Sequence, residues 1–203
     1  MHEADRARWN ERFSGDDYLF GTQPNAFLVS QRHLLRRGQT ALSVADGEGR
    51  NGVWLAEQGL DVLAVDFSEV ALAKSRRLAA ERGVRLAIEQ ADLFAWNWEG
   101  RSFDLVVAIF IQFATPAERP ILFDRLKSAV RRGGHLLLQG YRPEQLQYKT
   151  GGPPQVEHMY TEELLRTAFA DMQIVHLRAH DDVIQEGAGH GGMSALIDMV
   201  ARK

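Results

Sequence analysis

From residue 41 onward, short apolar runs alternate with segments whose apolar residues recur at helical spacing. The apolar runs predict buried strands at 41–45, 61–65, 84–90, 103–110 and 135–141. The intervening segments predict helices at 50–58, 68–83 and 115–134. Ser68 and Thr115 suit the N-caps of two helices, and Gly83 suits the end of one. Strands that alternate with helices predict a parallel sheet with right-handed crossovers.

The two ends of the chain depart from this alternation. They predict a helix, a long Gly- and Pro-rich loop, a second helix and two strands of a hairpin, at residues 24–38, 142–159, 160–169, 172–184 and 193–203, respectively. The predicted fold class is therefore α/β. We expect a Rossmann-like, doubly wound sheet of seven strands, mostly parallel, with a C-terminal antiparallel hairpin.

Residues 1–203 are predicted to form a single domain, because the length suits one ordinary hydrophobic core. Within it we distinguish an N-terminal lid segment and helix (1–38), a cofactor-binding core (39–141), the long loop (142–159), and the C-terminal helix and hairpin (160–203).

Composition narrows the class of protein. The net charge of −3 argues against a general binder of nucleic acid or anionic membranes. The absence of cysteine excludes disulfides, thiolate zinc sites and a thiol nucleophile, and no zinc or calcium ligand pattern is present, so we expect no metal. The N-terminus lacks the apolar core of a secretory signal, and the apolar run 105–111 is too short to cross a bilayer. A cytoplasmic protein with no obligate protein partner is the expectation.

The stretch VADGEGRNG carries Gly47, Gly49 and Gly52 with the spacing of a dinucleotide-binding turn. Two acids, Asp46 and Glu48, accompany them. Two like unit charges about 4 Å apart repel by roughly 4 kcal/mol at an effective dielectric of 20, so these acids oppose a pyrophosphate. S-adenosylmethionine has no phosphate and carries a sulfonium and an ammonium, so an acid beside the loop suits it. We expect the Glu48 side chain itself to point to solvent.

Further acids follow the next two strands. Asp66 ends the second strand, nineteen residues past Gly47, where a carboxylate can accept hydrogen bonds from both ribose hydroxyls. Asp92 follows the third strand and suits the adenine amino group, with Leu93 packing on the ring. Each acid could instead cap a turn or be exposed to solvent at a strand end.

These motifs together resemble the class I S-adenosylmethionine-dependent methyltransferases over nearly the whole chain. The opening WNERFSGDDYLFGTQPNAFL and the closing EGAGHGG and VARK resemble more narrowly the TehB-like branch, which is the tellurite-resistance and thiopurine methyltransferase-like group. The resemblance implies contacts to the cofactor from Asp46, Gly47, Gly49, Asn51, Asp66, Phe67, Asp92, Leu93, Ala108 and Ile109. It places Ala108 and Ile109 after the fourth strand, beside the sulfonium.

The candidates for catalysis lie near the two ends of the chain. Residues 1–21 are polar yet hold four aromatic residues, and we expect them to order over the cofactor cleft with Tyr18 and Phe20 facing it. In the alternative, these aromatic residues belong to the core. His190 and Glu186, in the hairpin connection, could orient or deprotonate a nucleophile, or could be exposed turn residues.

The predicted function is methyl transfer from S-adenosylmethionine to a small-molecule acceptor, for which a soft thiol or chalcogen nucleophile is one candidate. No NPPY-type sequence follows the fourth strand, which argues against methylation of DNA bases or glutamine. Two alternatives stay open at this point. The first is a non-catalytic protein that binds S-adenosylmethionine or a nucleoside, and the second is a nucleotide-dependent oxidoreductase.

Overall fold

A computed structural model describes residues 3–203. The α-helices are α1 (Glu3–Arg12), α2 (Ala26–Ser30), α3 (Arg50–Glu57), α4 (Glu69–Glu81), α5 (Arg119–Ala129), α6 (Gln145–Tyr148) and α7 (Glu162–Ala168). The strands are β1 (Thr40–Val44), β2 (Asp61–Asp66), β3 (Ala87–Gln90), β4 (Phe103–Ile109), β5 (Val130–Tyr141), β6 (Gln173–Glu186) and β7 (His190–Arg202). Short 3-10 helices lie at Arg32–Leu34 and Val156–His158.

The strands form a seven-stranded sheet in the order β3-β2-β1-β4-β5-β7-β6. The predicted fold class is confirmed, including the antiparallel C-terminal strands. The chain divides into two compact units. The N-terminal unit runs to Asn97 and includes Glu186–Gly189, and the C-terminal unit comprises Trp98–Gln185 and His190–Lys203.

In the N-terminal unit, β1, β2 and β3 pair in parallel. The register sets Val44 opposite Val65, so the carboxyl ends of β1 and β2 lie side by side. Helix α4 begins where the sequence predicts, because the Ser68 hydroxyl accepts the Ala71 N–H at 3.2 Å. The unit therefore brings the residues that follow β1 and β2 to one edge of the sheet.

In the C-terminal unit, β4 pairs in parallel with β5, and β5 pairs antiparallel with β7. Behind them, Phe123 of α5 packs its ring against Phe169 at 4.9 Å and Tyr160 at 5.6 Å. No helix within residues 3–203 combines the length and the apolar character needed to cross a bilayer.

Two predicted helices differ from the observed ones. The helix predicted at 24–38 ends at Ser30, because Ser30, Gln31, Arg32 and His33 give the next turn no apolar face to bury. Helix α5 begins at Arg119, although Thr115 and Glu118 exchange the reciprocal hydrogen bonds of a capping box. Pro120 has no N–H to donate, which delays the regular helix.

The remaining differences lie in connections. Strand β5 begins at Val130, ahead of the predicted residue 135, because Gly133 and Gly134 exchange backbone hydrogen bonds with Lys203. The predicted loop 142–159 contains helix α6 and a 3-10 turn. The hairpin connection shortens to three residues, 187–189, because β6 and β7 extend beyond the predicted strands.

Candidate active site

Asp46 lies two residues after β1 and its carboxylate turns inward. The Ser43 hydroxyl and the Gly52 N–H both donate to Oδ1, at 2.6 and 3.0 Å. Oδ2 is buried and has no hydrogen-bond partner among residues 3–203. Burial raises the pKa of Asp46 to about 7, against the lowering effect of these two hydrogen bonds. Asp46 is thus a buried carboxyl with one acceptor oxygen still unsatisfied.

Asp66 is the last residue of β2, and its carboxylate accepts backbone hydrogen bonds from the loops after β1 and β2. Its Oδ2 accepts the Gly47 N–H at 2.9 Å, and its Oδ1 accepts the Ser68 N–H at 2.8 Å. Burial raises the pKa of Asp66 to about 6. Since each carboxylate oxygen can accept two hydrogen bonds, the group retains acceptor capacity for a diol.

Glu48 differs from the expectation. Its side chain does not point to solvent: the residue is only 3% exposed, and its Oε1 lies 2.8 Å from Lys74 Nζ on α4. Oε2 accepts the Phe20 N–H at 3.3 Å. The prediction of exposure is wrong because a cation and a backbone donor both reach the loop. Glu48 is therefore neutralised, and repulsion of a pyrophosphate by the loop rests on Asp46 alone.

The N-terminal segment packs on residues 46–52, here called the glycine loop, and on the residues after β2. Phe13 is 3% exposed, and its ring lies 3.7 Å from where a side chain on Gly47 would begin. The Ser68 hydroxyl donates to Asn10 Oδ1 at 2.6 Å. The Trp9, Phe13 and Phe20 rings lie within 6.4 Å of one another. Phe13 is thus a core residue, as the alternative interpretation held, and residues 9–20 pack on these loops.

Tyr18 lies apart from these rings. It packs against Val53, Leu78 and Ala79, and its hydroxyl donates to the Lys74 carbonyl at 3.3 Å. The Arg77 guanidinium carbon lies 5.0 Å from its ring centroid. These contacts suit a residue that anchors the segment to α3 and α4, and a catalytic role for Tyr18 stays a prediction.

Glu186, at the end of β6, is held by two donors. Arg50 Nη2 contacts its Oε2 at 2.7 Å, and Asn25 Nδ2 donates to its Oε1 at 2.9 Å. Asn51 Oδ1 in turn accepts the Asn25 N–H at 2.9 Å. The structure therefore connects Glu186 with Asn51 through Asn25. The predicted action of Glu186 on a nucleophile stays a prediction.

The predicted adenine end is formed by residues after β2 and β3. Leu93 is buried, and Asp92 Oδ1 accepts the Phe94 N–H at 2.9 Å. The Phe67 carbonyl accepts Gln90 Nε2 at 3.1 Å. Asp92 therefore caps a turn, and its contact with a cofactor stays a prediction.

The C-terminal unit brings His190 into an aromatic cluster. Ala108 and Ile109 are the last two residues of β4 itself rather than residues after it, and both are buried. Phe110 follows with a φ of 56°, a strained conformation for a bulky residue. Its ring stacks on Tyr141 at 4.6 Å, and the His190 ring meets it edge-on at 4.7 Å. His190 is buried rather than an exposed turn residue.

Three residues of these sites escaped the sequence analysis, namely Lys74, Arg50 and Phe110. Lys74 and Arg50 are cations on helices, and their acidic partners lie 26 and 136 residues away in the chain, beyond any local pattern. Phe110 closes an apolar run, and no residue pattern signals its positive φ. Residues 3–203 contain no group of three His, Asp or Glu side chains placed to hold a metal ion.

Comparison with known proteins agrees with this geometry. The family model described as a methyltransferase domain matches residues 41–134, which contain Asp46, Asp66 and β4. Residues 41–134 thus resemble the methyltransferase domain of S-adenosylmethionine-dependent enzymes. The predicted resemblance is confirmed by this match together with the relatives and solved structures below, and S-adenosylmethionine is the cofactor of the methyltransferase family.

The chain has several relatives. It is 26% identical to human glycine N-methyltransferase, over 96% of this chain and 73% of the relative, and 36% identical to a thiopurine S-methyltransferase from Pseudomonas paraeruginosa, over 42% and 39%. It matches uncharacterised mycobacterial proteins at 32% identity and spans only 40% of their length.

Solved structures share the fold of the methyltransferase domain. TehB from Haemophilus influenzae has a TM-score of 0.72 at 16% identity, and the match covers 98% of this chain and 66% of TehB. Magnesium protoporphyrin IX methyltransferase from Synechocystis, crystallised with bound SAH, has a TM-score of 0.65 at 21% identity, with coverages of 98% and 94%.

Proposed function

We propose that the chain transfers a methyl group from S-adenosylmethionine to a small-molecule acceptor. The observation that carries this proposal is the pair of buried carboxyls at the ends of β1 and β2. Asp46 holds an unsatisfied acceptor oxygen, and Asp66 retains acceptor capacity beside Gly47. An ammonium and a ribose diol are the two groups of S-adenosylmethionine that such acceptors suit.

In this proposal each predicted cofactor residue has a task. Asp46 accepts the ammonium, Asp66 accepts the ribose hydroxyls, and Asp92 with Leu93 binds the adenine. Gly47, Gly49 and Asn51 shape the methionine side, Phe67 packs at the nucleoside, and Ala108 and Ile109 lie beside the sulfonium. When bound, S-adenosylmethionine supplies a methyl group activated by the positive sulfur. The chain contributes position, orientation and exclusion of water.

For the acceptor we favour a soft thiol or chalcogen nucleophile. The similarity to a thiopurine S-methyltransferase and to TehB supports it. In the cluster of Phe110, Tyr141 and His190, the titratable groups are the His190 imidazole and the Tyr141 hydroxyl. We propose His190 as the group that accepts or orients a proton. A soft nucleophile ionises readily and needs little help from a base.

A small amine is the second candidate acceptor. The similarity to glycine N-methyltransferase supports it, because that match spans 96% of this chain. A protonated amine must give up a proton before its lone pair can attack the methyl group, so it depends on His190 more strongly than a thiol does.

Two measurements test the proposal. Native mass spectrometry of the purified chain reveals whether S-adenosylmethionine or its product is retained. Formation of S-adenosylhomocysteine is then followed with panels of thiols, selenols and small amines, with His190→Gln beside the wild type. Binding without product in every panel would leave a non-catalytic cofactor-binding protein. An amine turned over faster than any thiol would replace the favoured acceptor by the second.

A further inference from the structure

Residues 16–21, here called the strap, are tied to the glycine loop by a buried ion pair. Lys74 Nζ lies 2.8 Å from Glu48 Oε1 and donates to the Asp17 carbonyl at 2.6 Å. Glu48 Oε2 accepts the Phe20 N–H at 3.3 Å. Glu48 and Lys74 are 3% and 8% exposed, so both partners of the ion pair are shielded from water.

The other side of the strap lies against residues 187–189. The Gly189 N–H donates to the Leu19 carbonyl at 2.9 Å. A side chain on Gly187 would collide with the backbone of Leu19 and Gly21, so the two backbones are in direct contact. The strap is therefore enclosed between the hairpin connection and the glycine loop, and on α4 the exposed Arg77 also donates to the Asp16 carbonyl, at 3.2 Å.

A buried ion pair needs an explanation other than stability. Desolvation of two charges offsets most of their attraction, and replacement by apolar residues of similar size is often neutral or stabilising. The attested use of such pairs is to fix one arrangement among several. Glu48 is also flanked by Gly47 and Gly49, whose φ angles of 59° and 94° make the loop backbone dependent on glycine.

We propose that Glu48 and Lys74 are positioning residues that couple the glycine loop to the strap. Glu48 links the loop directly to the Phe20 N–H, and through Lys74 it links the loop to the Asp17 carbonyl. Binding of a cofactor to the loop then stabilises the closed strap, and closure of the strap raises the affinity for the cofactor by the same factor. The inference rests on the proposed function only in that the cofactor contacts the glycine loop.

The test uses the full chain and three variants, namely Glu48→Gln, Lys74→Met and the double variant. Each single variant leaves one buried charge uncompensated, whereas the double variant leaves no unpaired charge. Glu57→Gln is the matched control, because it breaks the partly exposed pair with Arg82 at 3.6 Å in the same unit. Hydrogen–deuterium exchange at residues 17–20 is measured with and without S-adenosylhomocysteine, together with the melting temperature and the Kd of this ligand.

In the ligand-free chain, each single variant should raise exchange at residues 17–20 by about tenfold, the scale of one lost hydrogen bond. The Kd should rise about tenfold in parallel. The double variant should regain the wild-type melting temperature and still lack the protection that the ligand gives to the strap. Glu57→Gln should match the wild type in exchange and in Kd.

Wild-type exchange in both single variants would overturn the proposal. So would a double variant that regains protection together with its melting temperature, because the pair would then be merely structural. A wild-type chain that fails to bind S-adenosylhomocysteine would refute the proposed function instead, and ligand-free exchange would still decide whether the pair holds the strap.

Discussion

Replacement of Asp46 by asparagine tests whether this buried carboxyl costs the fold stability. Its pKa is raised from the ordinary 3.8 to about 7, chiefly by burial. Above pH 7 the carboxylate is ionised in both the folded and the unfolded chain. The difference between the two pKa values then corresponds to about 4 kcal/mol of lost stability relative to a neutral group.

The sign of the pH dependence follows from the raised pKa. Between pH 3.8 and 7 the folded chain binds more protons at Asp46 than the unfolded chain, so this contribution to stability is present at low pH and is lost as the pH rises through 7. At pH 5 the cost is about 2 kcal/mol and at pH 8 about 4 kcal/mol. Asp46→Asn removes this dependence, so its stability relative to the wild type should improve by roughly 2–3 kcal/mol from pH 5 to pH 8.

The change in relative stability between pH 5 and pH 8 is more informative than the free energy of unfolding of either protein at one pH. The amide that Asp46→Asn introduces would place its N–H donors where Oδ2 has no partner among the described residues, at a cost of about 1–3 kcal/mol at every pH. That cost cancels when the two pH values are compared. Asp66, whose pKa is also raised, is common to both proteins and cancels to first order.

The assay is urea unfolding of ligand-free wild type and Asp46→Asn at pH 5, 6, 7 and 8, with calorimetric titration of S-adenosylhomocysteine in parallel. The free energy of unfolding of the variant should increase relative to that of the wild type as the pH rises. The variant should bind the ligand more weakly than the wild type. Stability curves that stay parallel from pH 5 to pH 8 would refute the reasoning, because Asp46 would then ionise as an ordinary carboxyl.

Three further substitutions have expected outcomes. Asp66→Ala should weaken S-adenosylmethionine binding by about 1.5–3 kcal/mol, the scale of hydrogen bonds to a charged group. Calorimetry measures the affinity, and Asp61→Ala, at an exposed position of the same strand, is the control. Unchanged affinity would contradict the proposed ribose contact of Asp66. Ala45→Gly should stabilise the chain by about 1 kcal/mol in urea unfolding, because Ala45 has a φ of 49°, and a lower midpoint would count against this. Gly187→Ala should destabilise the chain by at least about 1 kcal/mol, because the backbone of residue 187 has a positive φ and a side chain on it would collide with the strap backbone. Gly191→Ala, which meets no atom within 4 Å, should be nearly neutral, and equal melting temperatures for the two variants would contradict the fit.

The local patterns of the sequence carry most of the fold. Ser68 caps α4 as predicted, since a cap depends only on the residues of the first turn. Asp66 could be found because a strand end is visible in the sequence and the carboxyl ends of parallel strands share an edge. The helix predicted at 24–38 ends where its apolar face ends. The leucines further along that segment made the apolar face look longer than it is.

The charges of the site were harder to predict. Glu48 is an acid between two glycines, and nothing near it in the chain indicates burial. Its partner Lys74 lies on α4 among alanines, where a lysine is usually exposed. The burial of both depends on residues 17–20, whose docking is a tertiary event without a periodic signal.

The link between Asn25 and Glu186 has a consequence for biosynthesis. The two side chains are separated by 161 residues. A ribosome that adds about 5–20 residues per second needs about 8–32 s to span that distance. Throughout this interval the emerging Asn25 has no Glu186 to bind, and the strap lacks the backbone of Gly187 and Gly189 beside it. The nascent chain can form the β1–β2 pair early, but the strap acquires its full set of contacts only after residues 186–189 have been synthesised.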